Sequence, residues 1–513
     1  MTTPPATLVS RLADRAAEDP GRLYARFDGT PLTVGELDRD SAAFAQGLVD
    51  RGLKRGEHVA VMMRNSVAAL KVIFALARAG FVWVPVNAQQ RGEGLSYLLQ
   101  HPRPVLLVHD AEFGDVIDEA AARVERMPPR IVHDPAAGGL SAMFAGDRLY
   151  AGPAPEASDW FAIMYTSGTT GRPKGVIVTH SMLNYAARAS ALVADIRDGD
   201  VLFLWEPLFH IGGAQLLSLP LEYDIVLAMV PRFSASGFWD QVRAEGASHI
   251  HYLGGILQIL LKQPETARDR DHGVRVAWGG GCPAATGKAF TERFGMPVRE
   301  CYGMTEASSM TTVETDGTPG SVGRALPWHE VAIVDPEGKP VPEGERGEIV
   351  VFPRMPGALT PGYYDNPEAT AKALRDGRFY TGDGGSFDAD GRLYFHGRLT
   401  DSVRCRGENV SAFEVENVAA QYPDVEDCAM IGVAAEVGEQ DIKLFVQPKE
   451  GQTVSPPLLV QWLAARLAPY QIPRYVVVVD GFERTASQRI MKHRLSTRLD
   501  DGWDRLAQRE KSA

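Results

Sequence analysis

The stretch YTSGTTGRPKGVIVTH, Tyr165–His180, joins a donor-rich loop to an apolar, β-branched segment. Thr166, Ser167, Gly168, Thr169, Thr170 and Gly171 combine hydroxyl groups with glycines that let backbone N–H groups turn towards an anion, and Lys174 adds a cation. Such a loop suits a polyphosphate. It is not the common P-loop, because Pro173 stands where the second glycine of G-x-x-x-x-G-K-[ST] belongs and Gly175 follows the lysine. A surface turn rich in small polar residues is the alternative, and the lysine and flanking strand argue against it. Further along, His210 lies in PLFHIGG, Glu306 in YGMTE and Asp383 in YTGD. A lone histidine is more often structural, a lone acid more often solvated, and a D-G pair more often a turn. Only the surrounding residues raise these three above those readings.

The elements that must position these groups alternate. Thr33–Glu36 reads as a capping box, followed by Leu37, Phe44 and Leu48 at helical spacing. His58–Met63 reads as a strand, Ser66–Gly80 as a buried helix stopped by glycine, and Phe81–Val86 and Pro104–Asp110 as further strands. This alternation predicts an α/β architecture with largely parallel strands. After about residue 320 short strands and turn signals take over, with a hairpin carrying Asp390-Gly391 at its turn. A last α/β unit starts at about Glu414.

The bulk numbers bound the function. The 513 residues exceed what one core organises. Lys+Arg number 53 against 65 Asp+Glu, a formal charge of -12, which argues against a nucleic-acid partner and shows no anionic-membrane footprint. The four cysteines, at 282, 301, 405 and 428, form no CxxC pair, so reduced thiols in a cytoplasmic enzyme are the expectation. No secretory h-region and no run of about 18 apolar residues is visible, so no membrane span is expected.

YTSGTTGRPKG, PLFHIGG (207–213), GGGCP (279–283), YGMTE (302–306), YTGD (380–383), GRLTD (397–401) and RGENVSAFEVE (406–416), in that order, resemble the signatures of the adenylate-forming superfamily, and the likeness covers nearly the whole chain. Within it the chain resembles the CoA ligases, among them the crotonobetaine/carnitine-CoA ligase branch. The resemblance implies a large N-terminal AMP-binding domain of several subdomains with parallel sheets, residues 1–399, a hinge at Thr400, and a small mobile α+β domain, 401–513. It implies ATP-dependent conversion of a carboxylic acid to acyl-AMP and transfer to CoA, with Mg²⁺ as cofactor.

Residue by residue, the resemblance has the 166–171 loop and Lys174 cradle the β- and γ-phosphates, and Glu306 with Thr166 hold the metal. Gly280, Gly281, Cys282, Tyr302, Gly303, Met304 and Thr305 line the nucleotide, and Asp383 and Arg398 meet the ribose. His210 guards the carboxylate, and Trp205, His251, Tyr252, Gly254, Gly255, Trp278 and Gly303 border the acid pocket. That set is more aromatic and polar than a fatty-acid tunnel needs. Thr400 replaces the usual Asp or Lys of the hinge. The catalytic T-x-x-G-K segment of relatives is replaced by RTASQRIMK, with Gln488 at the glycine and Arg489 at the lysine position; Lys492 is the other candidate cation. These departures leave two alternatives beside the CoA ligase: an adenylating enzyme with a non-CoA acceptor (an amine, a carrier protein, or nitrite activation for diazo formation), or a non-adenylating protein that binds acyl-AMP and forms only the thioester. The acid and the oligomeric state stay open, with a homodimer one expectation.

Overall fold

A computed structural model describes residues 6–166, 173–253, 255–399, 402–405, 408–435, 440–484 and 489–507. Ser167–Gly171, Gly254, Thr400 and Gln488 lie outside the described residues. The chain divides into two compact units, 1–331 with 351–379, and 332–350 with 380–513. This division by packing groups 332–350 and 380–399 with the C-terminal residues.

The first unit is built where the sequence places alternating elements. Thr33 Oγ1 accepts from the Glu36 N–H at 3.2 Å while Glu36 Oε2 accepts from the Thr33 N–H at 2.9 Å, closing the capping box. The helix Val34–Asp50 then buries Leu37, Phe44 and Leu48 and packs on helix Val67–Ala79. Ser66 caps that second helix through the Ala69 N–H, and Gly80, at φ 69°, ends it in the left-handed region glycine enters without Cβ strain.

Two sheets carry the site. In the six-stranded sheet, Arg130–His133, Leu106–Asp110, His58–Met62, Val82–Pro85 and Trp160–Thr166 run parallel, and Lys174–Thr179 closes the edge antiparallel to Trp160–Thr166. The nine-stranded sheet has a parallel centre through Val298–Tyr302, Val276–Gly280, His249–Leu253, Val201–Leu204, Val226–Met229 and Leu23–Phe27, with antiparallel strands at both edges. Helix His180–Ala194 touches Lys174–Thr179, Val276–Gly280 and Val298–Tyr302, so it bridges the two sheets. This mixed α/β arrangement, with mostly parallel strands, matches the expectation.

In the second unit, Arg378–Phe387 pairs antiparallel with Leu393–Arg398, and Gly391 (φ 73°) sits at the turn between them. A four-stranded sheet orders Val425–Ala434, Gln440–Pro448, Tyr475–Val478 and Trp503–Asp504 over a separate core that includes Val415, Leu444, Leu459 and Val476. Among the described residues no helix is long and apolar enough to cross a membrane.

Candidate active site

Thr166 and Lys174 face each other as the last pair of an antiparallel ladder. Lys174 Nζ lies 5.0 Å from the centre of the Tyr363 ring, and Tyr363 Oη donates to Glu306 Oε1 at 2.8 Å. The structure thus brings together Lys174 and Glu306, 132 positions apart in the chain numbering, through a tyrosine that sequence reading missed. Segment 360–364 fixes this bridge. The Thr360 N–H donates to Glu306 O (2.8 Å), Thr360 Oγ1 to Ile177 O (2.7 Å), and the Ile177 N–H to Gly362 O (3.1 Å). Burial raises the pKa of the Tyr165 phenol, whose oxygen shares a hydrogen bond with His101 Nδ1 at 2.7 Å.

Glu306 is buried in the short turn Thr305–Ala307 that follows Tyr302 and Gly303. A Cβ on Gly303 would fall 2.2 Å from Ser309 O and 2.5 Å from Met310 Cα, so only glycine fits that approach. Ser308 and Ser309 are both left-handed, at φ 56° and 70°, and fold the chain back so that the Thr311 N–H reaches Tyr302 O at 2.8 Å. Met304 is half-buried and Thr305 buried in the same turn. Among the described residues no cluster of three or more His, Cys, Asp or Glu could hold a metal alone. A magnesium ion that keeps waters and shares substrate phosphates needs only one or two carboxylates, and Glu306, with one oxygen fixed by Tyr363, is of that kind.

The glycine-rich turn at 279–283 ends strand Val276–Gly280. Gly279 packs so tightly on the next strand that a Cβ would lie 1.9 Å from Tyr252 O. Beyond it, Gly281 is left-handed at φ 88°. Its shape is set by Glu300, a residue the sequence did not single out. The Glu300 carboxyl accepts from the Cys282 N–H (2.9 Å), the Gly281 N–H (3.2 Å) and Tyr252 Oη. Burial pushes its pKa up to about 7, against the opposing pull of these hydrogen bonds. Tyr252 is fully buried, with its hydroxyl also 3.0 Å from Arg299 O.

PLFHIGG forms a tight loop. Asn65 clamps it, donating to Glu206 O (2.7 Å) and accepting from the Leu208 N–H (2.9 Å). His210 Nδ1 accepts from the Gly212 N–H at 3.2 Å and caps the short helix Ile211–Ala214. Trp205 Nε1 donates to His251 O (2.7 Å), and the His251 ring lies 4.2 Å from that of Trp278. Behind the loop, His251 Nδ1 pairs with Glu206 Oε2, both side chains being buried. Trp205, Tyr252 and Trp278 are all buried, Trp278 fully.

In the second unit Asp383 lies opposite Arg398 in the ladder, and Arg398 Nε meets its Oδ1 at 2.9 Å. Arg398 also donates to Thr381 O (3.0 Å), while the Asp383 N–H donates to Thr381 Oγ1 (3.0 Å). Arg489 is exposed. Lys492 Nζ lies 2.8 Å from Glu416 Oε1, the oxygen that also accepts from the Met430 N–H at 2.6 Å.

Residues 12–364 match the family model of the AMP-binding enzymes, and 414–489 that of the AMP-binding enzyme C-terminal domain. The chain therefore belongs to the AMP-binding enzyme family. It is an AMP-forming acid–CoA ligase, which uses ATP and Mg²⁺ to convert a carboxylic acid to acyl-AMP and transfers the acyl group to CoA. A crotonobetaine/carnitine–CoA ligase of Salmonella typhi is 33% identical over 463 residues, 86% of this chain and 89% of its own. ATP-bound MatB from Rhodopseudomonas palustris superposes with a TM-score of 0.86 at 30% identity, over 95% of this chain and 97% of its own. The o-succinylbenzoate CoA synthetase MenE of Bacillus subtilis, in complex with the acyl-adenylate OSB-AMP, gives 0.85 at 25%, over 96% and 99%.

Proposed function

We propose that this ligase activates a small, polar carboxylic acid, that Arg489 supplies the cation of the adenylation step, and that the C-terminal residues 401–513 swing about Thr400 between the two half-reactions. The named relatives handle different acids, so the acid must be read from this chain's own pocket. The observation that carries the reading is the pocket border, where Trp205, Tyr252 and Trp278 fill space with rings and His210, Glu206 and His251 add polar groups.

In the first half-reaction the acid carboxylate attacks the α-phosphate and pyrophosphate leaves. Negative charge grows on the phosphate oxygens, so the chain supplies cations and N–H donors rather than a nucleophile. Lys174 and the 166–171 loop receive the β- and γ-phosphates. Glu306, oriented by Tyr363, and Thr166 would hold Mg²⁺, which when bound would supply charge neutralisation at the phosphates. Gly280–Cys282, Tyr302, Gly303, Met304 and Thr305 line the nucleotide, and Asp383, held by Arg398, accepts from the ribose hydroxyls. His210 faces the acid carboxylate.

The choice of the second cation rests on chain position. Arg489 stands where relatives carry the lysine of T-x-x-G-K and is exposed, and Lys492, three residues further on, pairs with Glu416. Arginine keeps the positive charge of the lysine it replaces, in a planar fork that binds phosphate well. Arg489→Ala should slow pyrophosphate release ~10- to 100-fold, the worth of one charge-assisted contact, while thioester formation from supplied acyl-AMP survives. Arg489→Lys should retain adenylation. Equal rates for Arg489→Ala and wild type in both half-reactions would remove Arg489 from the site. With its four cysteines free and none paired, the chain fits a reducing cytoplasm.

A further inference from the structure

Glu206 is 1% exposed, yet no described donor meets either of its carboxylate oxygens along a hydrogen-bond line, and His251 Nδ1 is the side-chain nitrogen that lies against Oε2. A buried carboxylate has about four acceptor positions, and leaving them unfilled is costly. The structure explains why the group stays where it is. Its backbone carbonyl is clamped by Asn65, and the carboxylate packs under the PLFHIGG turn, where a Cβ on Gly212 would come within 2.8 Å of both oxygens. His251 is in turn fixed by the ring of Trp278. The pair thus stands beside the turn that carries His210 and the ring of Trp278.

We infer that Glu206 and His251 read the far end of the acid substrate, and that the preferred acids carry an N–H or O–H donor that fills the open acceptor positions of Glu206. The inference rests on the small-polar-acid reading above and narrows it. A second carboxylate buried close to where an acid binds is unfavourable for a plain acid, since it presents acceptors that the acid leaves unmet. An acid with a distal amine or hydroxyl converts the same group into a partner. The asymmetry is large, because a site built to hydrogen-bond a donor rejects the analogue lacking it more strongly than an apolar pocket rejects an extra methylene.

The test uses the full-length enzyme and two matched sets: butanoate against 3-hydroxybutanoate and 4-aminobutanoate, and benzoate against 4-hydroxybenzoate and 4-aminobenzoate. Acid-dependent pyrophosphate release gives kcat and KM for each. In at least one set a donor-bearing acid should exceed its plain parent by ~10-fold or more in kcat/KM, mainly through KM. Glu206→Gln, which keeps size but not charge, should shrink that ratio to below about 3-fold, with the loss falling on the donor-bearing acid. His251→Phe should weaken the same preference by releasing the carboxylate from its position. A merely structural role would lower all acids together and leave the ratio unchanged, and that result would overturn the inference, as would a wild-type preference for the plain acids or no turnover of any of the six. If none of the six reacts but other acids in a wide library do, the donor inference fails while the ligase stands. If no acid in that library yields adenylate, the ligase reading fails as well.

Discussion

Two carboxylates buried in the first unit, Glu300 and Glu206, are treated oppositely by the fold. Glu300 accepts two backbone N–H groups and a tyrosine hydroxyl, and these contacts hold the Gly281–Cys282 turn in one shape. Among the described residues, Glu206 is paired with His251 Nδ1 and accepts no hydrogen bond along a donor line. Glu300 does its work without a ligand, because its acceptor positions are filled by the protein and the product is a rigid turn. Glu206 has acceptor capacity left over. A polar group that is fully satisfied builds structure, and one that is clamped but unsatisfied is available to recognise something. On the proposed assignment, the nucleotide end of the site is preorganised by internal bonds and the acid end is completed by the substrate.

The largest expected effect separates the two on stability. Glu300→Ala removes the acceptor of the half-buried Cys282 N–H, at about 1–3 kcal/mol, and of the exposed Gly281 N–H, which water can meet, while Tyr252 Oη keeps Arg299 O. Glu206→Ala leaves His251 without its carboxylate. Both create a cavity of the same size, so the excess loss for Glu300→Ala is the part due to hydrogen bonds. Chemical denaturation of the two variants should show Glu300→Ala losing about 1–3 kcal/mol more. Equal losses would erase the comparison.

The second effect is on the pH dependence of stability. Burial raises the Glu300 pKa from the carboxylate range to about 7, so between roughly pH 4.5 and 7 the folded state binds a proton the unfolded state has lost. Stability therefore falls as pH rises through that window, by up to ~3 kcal/mol for this group, and is level above it. Glu300→Gln has no such proton. The apparent Tm of the variant, relative to wild type, should rise between pH 5 and pH 7.5; a constant offset would place the Glu300 ionisation at its ordinary value.

A third, kinetic effect concerns which substrate feels each residue. Glu300→Gln should raise the KM for ATP by roughly 3- to 10-fold through a loosened turn, with little change in acid preference, the reverse of the pattern expected for Glu206→Gln. The smallest effect is at Lys492. Breaking its half-buried pair with Glu416 should cost about 1 kcal/mol or less and leave pyrophosphate release unaltered. A loss of adenylation in Lys492→Ala comparable with Arg489→Ala would assign the cation to Lys492 instead.

What could be read from the sequence follows the range of the interactions. The capping box at Thr33, the stop at Gly80 and the hairpin at Gly391 involve neighbours a few residues apart, and they appear as expected. The helix near residues 458–469 ends earlier than its apolar run, at Ala464, because the chain turns to feed the strand Tyr475–Val478. Glycines also carried a signal, since Gly279 and Gly303 mark approaches that only glycine allows. Residues working across long separations left none. Tyr363 reaches Glu306 over 57 positions, Glu300 reaches Tyr252 over 48, and Asn65 reaches Glu206 over 141. Their types are ordinary in isolation, and only the parallel strand order that brings residues 252, 279 and 300 side by side gives them a role.

The most direct measurement takes wild-type protein with ATP, Mg²⁺ and a library of short polar acids, with and without CoA, and reads the products by mass. The account predicts acyl-AMP and pyrophosphate without CoA, and AMP with the CoA thioester when CoA is present, for donor-bearing acids first. No adenylate from any acid, together with conversion of synthetic acyl-AMP and CoA to thioester, would contradict it and mark Gln488 and Arg489 as the loss of the first half-reaction.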